Sequence, residues 1–172
     1  MKAQATRQRG FTLIELIVVI VILGILSAIA LPKFADFGGN ARIASLKAVQ
    51  GSLTTVSTLA KGKYLVASAP PATVVLEGVT VTYSTAFASG YPKADANLPL
   101  AAGVVVGATG DYTLVAPSAV ATANSPSTSA TEIALIPASV AGTIKGLNCY
   151  VRYTEPTSAT SAPTIAVTSG SC

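Results

Sequence analysis

Residues 10–32 read Gly-Phe-Thr-Leu-Ile-Glu-Leu-Ile-Val-Val-Ile-Val-Ile-Leu-Gly-Ile-Leu-Ser-Ala-Ile-Ala-Leu-Pro. From Phe11 to Leu31 there are 21 residues and a single charge, Glu15. As a helix this run is about 31 Å long, close to the thickness of a bilayer's hydrocarbon core. Lys2, Arg7 and Arg9 precede it, the asymmetry that keeps an N-terminus in the cytoplasm. A carboxylate inside such a run costs about 2.5–3.5 kcal/mol at mid-bilayer and less near the interface, so it marks a functional position. No Lys, Arg or His lies between Phe11 and Leu31. A cationic partner for Glu15 therefore has to come from another chain, or from an amine made by cutting this chain nearby.

The run Arg9-Gly10-Phe11-Thr12-Leu13-Ile14-Glu15, continued by an apolar helix to Pro32, resembles the signature of type IV prepilins. The resemblance implies a basic leader, residues 1–10, removed by a membrane peptidase that cuts after Gly10. It also implies methylation of the new N-terminal Phe11, and it makes Glu15 the fifth residue of the mature chain. Ser27-Ala28-Ile29-Ala30 is a weaker match to a signal-peptidase site, so the cut is expected after Gly10.

A length of 172 residues suits one globular domain behind a membrane helix. Half the residues are hydrophobic (51%) and only 10% are charged. The formal charge of +4 overstates the mature chain, since three of the eleven Lys and Arg lie in residues 1–10, leaving eight against seven acids. That near-neutrality gives no basic patch for nucleic acid. His is absent, which removes the commonest general base and metal ligand. The acids Asp36, Glu77, Asp95, Asp111, Glu132 and Glu155 are scattered singly. Gly103-Val104-Val105-Val106-Gly107 lacks the Lys-Ser/Thr of a phosphate loop. The expectation is a protein that is not an enzyme and has no cofactor or metal.

Pro32 removes a helix hydrogen bond and clashes with the preceding turn, and Gly24 weakens the same region. A kink or local break is expected there, and Gly38-Gly39-Asn40 is a second candidate bend. Beyond Pro32, Ile43, Leu46, Val49, Leu53, Val56 and Leu59 recur at spacings of three and four, one apolar face of a helix. The reading is one long helix over about 12–61, stopped at Gly62. Strands follow: Val74–Ser84, Asp111–Ala116, Glu132–Ile136, Leu147–Thr154 and Thr164–Thr168, with Val104–Val106 either a strand or a buried helix end. Pro117–Thr131 holds seven Ser or Thr and Thr154–Thr164 holds six; both read as surface loops, with plain polar loops favoured over O-glycosylated ones. Helix first and strands after predicts an α+β fold, a long N-terminal helix packed on an antiparallel sheet. The pilin resemblance implies the same fold, with a sheet of four or five strands.

Cys149 and Cys172 are the two cysteines. An even count in a chain that crosses a membrane suggests one disulfide in an oxidising compartment. In the pilin family such a disulfide bounds a C-terminal surface region. Pro32-Lys33-Phe34, Ala41-Arg42-Ile43, the Ser89-Gly90-Tyr91-Pro92 turn and the tail from Asn148-Cys149-Tyr150-Val151 to Ser169-Gly170-Ser171-Cys172 look like the mannose-sensitive haemagglutinin pilin group, which implies surface attachment. The surface or receptor is not identified by any sugar-binding constellation in the chain.

The domain reading is leader 1–10, membrane and polymerisation helix 11–32, amphipathic helix 33–62, and a sheet-containing head 63–172. Glu15, Gly24 and Pro32 are the candidate assembly residues, Gly10 and Phe11 the processing residues, and Cys149 and Cys172 the disulfide. The resemblance implies a pilus subunit held in the inner membrane and then polymerised outside the cell. Its partners would be further copies of itself, the prepilin peptidase, the assembly machinery, the inner membrane and a surface receptor. The alternative is a pseudopilin of a type II secretion system, which shares the N-terminus but commonly has a calcium loop and lacks the C-terminal disulfide.

Overall fold

The computed structural model describes residues 11–172. Gly10 and the leader lie outside the described residues. The chain divides into two compact units between Gly38 and Gly39.

In the first unit the chain enters α1, Leu13–Val66, at Leu13. Within this unit its large apolar side chains are exposed, from 46% at Ile17 to 75% at Leu13. Among the described residues this is the one helix long and apolar enough to cross a membrane. Helical assignment continues through Gly24, Pro32 and Gly38-Gly39-Asn40. The helix is therefore not broken at Pro32. A Cβ at Gly24 would meet nothing within 4 Å, so the glycine is not required by packing within the chain.

In the second unit the remainder of α1 lays Leu46, Val49, Leu53, Val56 and Ala60 into the core. These positions follow spacings of three and four, the helical repeat. Ile43 is half-buried, and Leu59, expected on the same stripe, is 48% exposed because Ala60 takes the next inward position. The helix also passes Gly62 and ends at Val66. Tertiary contacts override the weak glycine there. Tyr64 packs edge-on to Tyr83 with centroids 5.1 Å apart, and the Tyr83 hydroxyl donates to the Ala60 carbonyl at 2.9 Å. Pro70-Pro71 follow the helix end and cannot continue it.

The expected strand Val74–Ser84 is a hairpin instead. β1 (Thr73–Leu76) and β2 (Val79–Thr82) pair antiparallel, with Leu76 opposite Val79. Glu77 and Gly78 both have positive φ, 47° and 76°, which is the mirror-image two-residue turn that matches strand twist. A short helix, α2 (Asn97–Ala101), follows. Val104 is buried just beyond it, Val105 is exposed, and Val106 makes an isolated bridge to Tyr112; the triplet is neither strand nor helix end.

Four further strands form an antiparallel meander in the order β3 (Tyr112–Val115), β4 (Glu132–Pro137), β5 (Cys149–Thr154) and β6 (Thr164–Ser169). The fold is thus α+β, a long N-terminal helix packed on antiparallel sheet. Strand β5 shows why: Cys149, Val151 and Tyr153 are buried while Tyr150, Arg152 and Thr154 are only half-buried, the period of two of a one-sided strand. Central strand β4 buries Ile133 through Pro137 on both faces. The segment that follows the hairpin is tied to the meander through buried polar groups. The Tyr153 hydroxyl donates to the Pro92 carbonyl at 2.7 Å. Buried Glu155 accepts from the Ala94 amide at 2.7 Å and from the Ser84 hydroxyl. Burial pushes the Tyr153 phenol up, reinforced by the nearby Glu155 charge.

Candidate assembly helix and disulfide-bounded face

At the start of α1, Thr12 precedes the first helical residue and Glu15 is the third residue inside it. The Glu15 carboxylate accepts from the Thr12 amide at 2.8 Å and from the Thr12 hydroxyl at 2.7 Å. The Glu15 amide donates back to the Thr12 hydroxyl at 3.3 Å. This is a reciprocal capping box, which satisfies amides that a helix start leaves orphaned. This local partner, unlike the cationic one expected for Glu15, is signalled in the sequence by the Thr-x-x-Glu spacing. Glu15 therefore has a use in the free chain, and an intermolecular pairing has to compete with the cap.

At the other end, Cys149 and Cys172 are joined, with Cα atoms 5.0 Å apart. Cys149 begins β5 opposite Ser169 of β6, so the bond staples the segment after β6 back onto its neighbouring strand. Two contacts that sequence reasoning missed hold the same segment. Arg42 Nη1 donates to the Cys172 carbonyl at 2.6 Å, and Arg42 Nε donates to the Ser139 hydroxyl at 3.0 Å. A Cβ at Gly39 would lie 3.4 Å from the Cys172 carbonyl carbon. The bend-prone glycine pair is thus a place where α1 lets the C-terminal segment approach. Only a lone Gly-Gly in a helical pattern hinted at this.

On the outer face of the meander, Glu132 accepts from the Ser129 amide at 2.9 Å and the Thr154 hydroxyl at 3.1 Å, and pairs with Arg152 at 3.2 Å. Burial pushes the Glu132 carboxyl up, but these donors and the guanidinium more than offset it, so its net shift is downward. The Arg152 guanidinium also stacks over Tyr150 at 5.3 Å. The two Ser/Thr-rich segments lie outside the strands, except that Thr154 and Thr164 at the ends of the second belong to β5 and β6. Pro117–Thr131 folds back on itself through Ser118 to Ser129 and Thr128 to Ala119 backbone bonds. Among the described residues no three His, Cys, Asp or Glu side chains gather as a metal-binding group.

Of the two residues expected to be processed, one lies among the described residues. Phe11 is exposed just before the helix, and Gly10 lies outside the described residues. The structure brings Thr12 to Glu15 and Cys149 to Cys172, and it leaves Gly24 and Pro32 as two exposed positions of one helix.

An apolar, unburied N-terminal helix that leads into a helix-backed, disulfide-stapled antiparallel sheet is consistent with the type IV pilin fold. Comparison with known proteins points the same way. Residues 5–31 match the family described as the prokaryotic N-terminal methylation motif. A fimbrial protein of Pseudomonas aeruginosa is 41% identical over 66 residues, 37% of this chain and 43% of that one. A type IV major pilin protein, PilE1, of Neisseria gonorrhoeae is 45% identical over 62 residues, 34% and 38% of the two chains. The type IV narrow pilus major component PilA5 of Thermus thermophilus is 46% identical over 54 residues, 31% and 47%. The chain spans less than half the length of these relatives. No solved structure matches it significantly.

Proposed function

We propose that this chain is the structural subunit of a type IV pilus, stored in the inner membrane and polymerised into a cell-surface filament. The observation that carries the reading is the membrane-length helix with unburied apolar side chains on every side. A helix apolar all round needs either lipid or like helices around it, and a subunit that moves from bilayer to bundle uses both. The methylation-motif match over residues 5–31 supports cleavage after Gly10 and methylation of Phe11. Pilin and fimbrial names among the relatives, with the Cys149–Cys172 bond, favour a pilus over a secretion pseudopilin.

The partners on this reading are further copies of the chain, the prepilin peptidase and the assembly machinery. The finer assignment to the mannose-sensitive haemagglutinin group, with surface attachment as its role, rests on the quoted sequence runs. Within the Ser89–Pro92 run, Gly90 takes a positive φ of 73°.

Electron microscopy of fibres sheared from the cell surface, with mass spectrometry of their subunit, tests the proposal. Fibres built of a chain that starts at methylated Phe11 are expected. An intact Met1, or cleavage near Ala30, overturns the processing reading, and Gly10→Val is expected to block the cut.

A further inference from the structure

Phe34 and Phe37 form an exposed ring pair on α1. Their centroids are 5.7 Å apart, and the two side chains are 68% and 61% exposed. Nothing in the assembly reading uses them. We infer that this pair, with Lys33, is an interfacial anchor that seats the stored subunit at the outer headgroup layer of the membrane. The inference rests on the proposal that Phe11–Leu31 spans a bilayer.

The placement follows from length. From Leu13 to Leu31 the helix rises about 27 Å, nearly the hydrocarbon thickness of about 30 Å. Phe34 and Phe37 lie about 5 and 9 Å further along the axis, within or just beyond a headgroup layer of roughly 5–7 Å. Helical side chains lean toward the N-terminus, so both rings reach back toward the hydrocarbon boundary. Helical assignment continues through Pro32, so the local rise applies. Lys33 is the first charge after Glu15, and a long cationic side chain at this level can extend into the headgroups. Apolar rings flanked by a cation fit the boundary between acyl chains and headgroups. Such an anchor fixes how deep the span sits, and so where the cut and Glu15 lie at the opposite face.

The chain contains no Trp, so single Trp variants report cleanly. Full-length Val21→Trp, Phe34→Trp and Phe37→Trp are each reconstituted in phosphatidylcholine vesicles whose acyl chains carry bromine near the headgroup or near the methyl end. Val21→Trp is expected to be quenched best by deep bromine. Phe34→Trp and Phe37→Trp are expected to be quenched about twofold better by shallow than by deep bromine. If Val21→Trp escapes deep quenching, the membrane span itself fails, and the anchor with it. If Val21→Trp behaves as a span but the other two show no quenching, or deep quenching, the anchor alone is overturned. Trp itself seeks the interface, so a third arm adds Phe34→Ala/Phe37→Ala to the Val21→Trp chain. Its depth profile is expected to shift or broaden. An unchanged profile overturns the anchor, and an unchanged profile with loss of fibres assigns the pair to a subunit contact instead.

Discussion

Arg42 Nη1 donates to the backbone carbonyl of Cys172 at 2.6 Å, across 130 positions of sequence. One guanidinium thus joins the helix to the segment that the disulfide ties to β5. The same arginine reaches Ser139, and Gly39 leaves room for Cys172 one helical turn earlier. Covalent bond, charged hydrogen bond and close packing converge on a single residue.

The three contacts should be separable by denaturation of the full-length protein in detergent. Replacing both cysteines by Ser, which opens a loop of 23-residue separation, is expected to lower stability by about 3 kcal/mol. Arg42→Met should cost about 1.5–3 kcal/mol, the range for a hydrogen bond from a charged donor. Because both act on Cys172, the combined variant should lose less than the sum. Strict additivity would show that the clamp and the staple are independent.

Gly90 lies under the Tyr64 ring. A Cβ there would come within 2.4 Å of Tyr64 Cδ1, at a φ of 73°. Gly90→Ala is expected to lower stability by about 2 kcal/mol or more, from strain and displacement of the ring together. The double variant with Tyr64→Ala should recover part of that loss. No recovery would place the whole cost in the backbone.

The downward shift of the Glu132 carboxyl gives an acid dependence with a definite sign. Its folded value lies below the unfolded one of about 4.3. The stability it contributes is therefore present above that unfolded value and is lost as pH falls through the folded one. Glu132→Gln should flatten the fall in stability below about pH 5. A denaturation midpoint with the same pH slope as the parent would remove Glu132 from the account.

What could be read from sequence divides along physical lines. The membrane-length run, the apolar stripe from Leu46 to Val56 and the strands at Tyr112, Glu132, Cys149 and Thr164 carry strong periodic or compositional signals, and each is present. The Glu77-Gly78 turn was hidden because Glu is an unusual residue at positive φ, and Val-Val-Leu before it masks the break. Gly62 failed as a stop because the Tyr64–Tyr83 contact is long-range and invisible to local propensity. The Arg42 clamp was beyond reach for the same reason. The capping box at Thr12 was legible and overlooked, since attention to charge hid a hydrogen-bond partner three residues away.

Gly24 has open space around it in the subunit, yet it sits where the assembly proposal needs weakened turns. We expect Ile25–Leu31 to be helical in the free subunit and partly extended in the filament, so that heads can pack while the apolar halves remain bundled. Gly24→Ala should leave membrane insertion and subunit stability intact while making that stretch harder to open, by about 1 kcal/mol. Reduced fibre yield from a normal subunit pool is the expected result. A filament map with unbroken helix through these residues would refute the idea.

Glu15 tests cap against charge. After cleavage the Phe11 amine is a cation, since a free α-amino group ordinarily titrates at about pH 8, and a neighbouring subunit's amine could meet Glu15 as the subunit docks. An unpaired carboxylate in an apolar bundle is costly, and a close opposite charge offsets much of that. Only the correct axial offset brings the two together, so the pair would set register. The capping box gives a rival account, in which Glu15 merely starts the helix. Gln can fill the same capping position without the charge, whereas Val can do neither. On the charge reading, Glu15→Gln and Glu15→Val both lose their leader, stay in the membrane and form few or no fibres. Wild-type-like fibres from Glu15→Gln with none from Glu15→Val would assign the residue to the cap. Abundant fibres from both would end the assembly role altogether, and an uncut leader in either would place Glu15 in recognition by the peptidase.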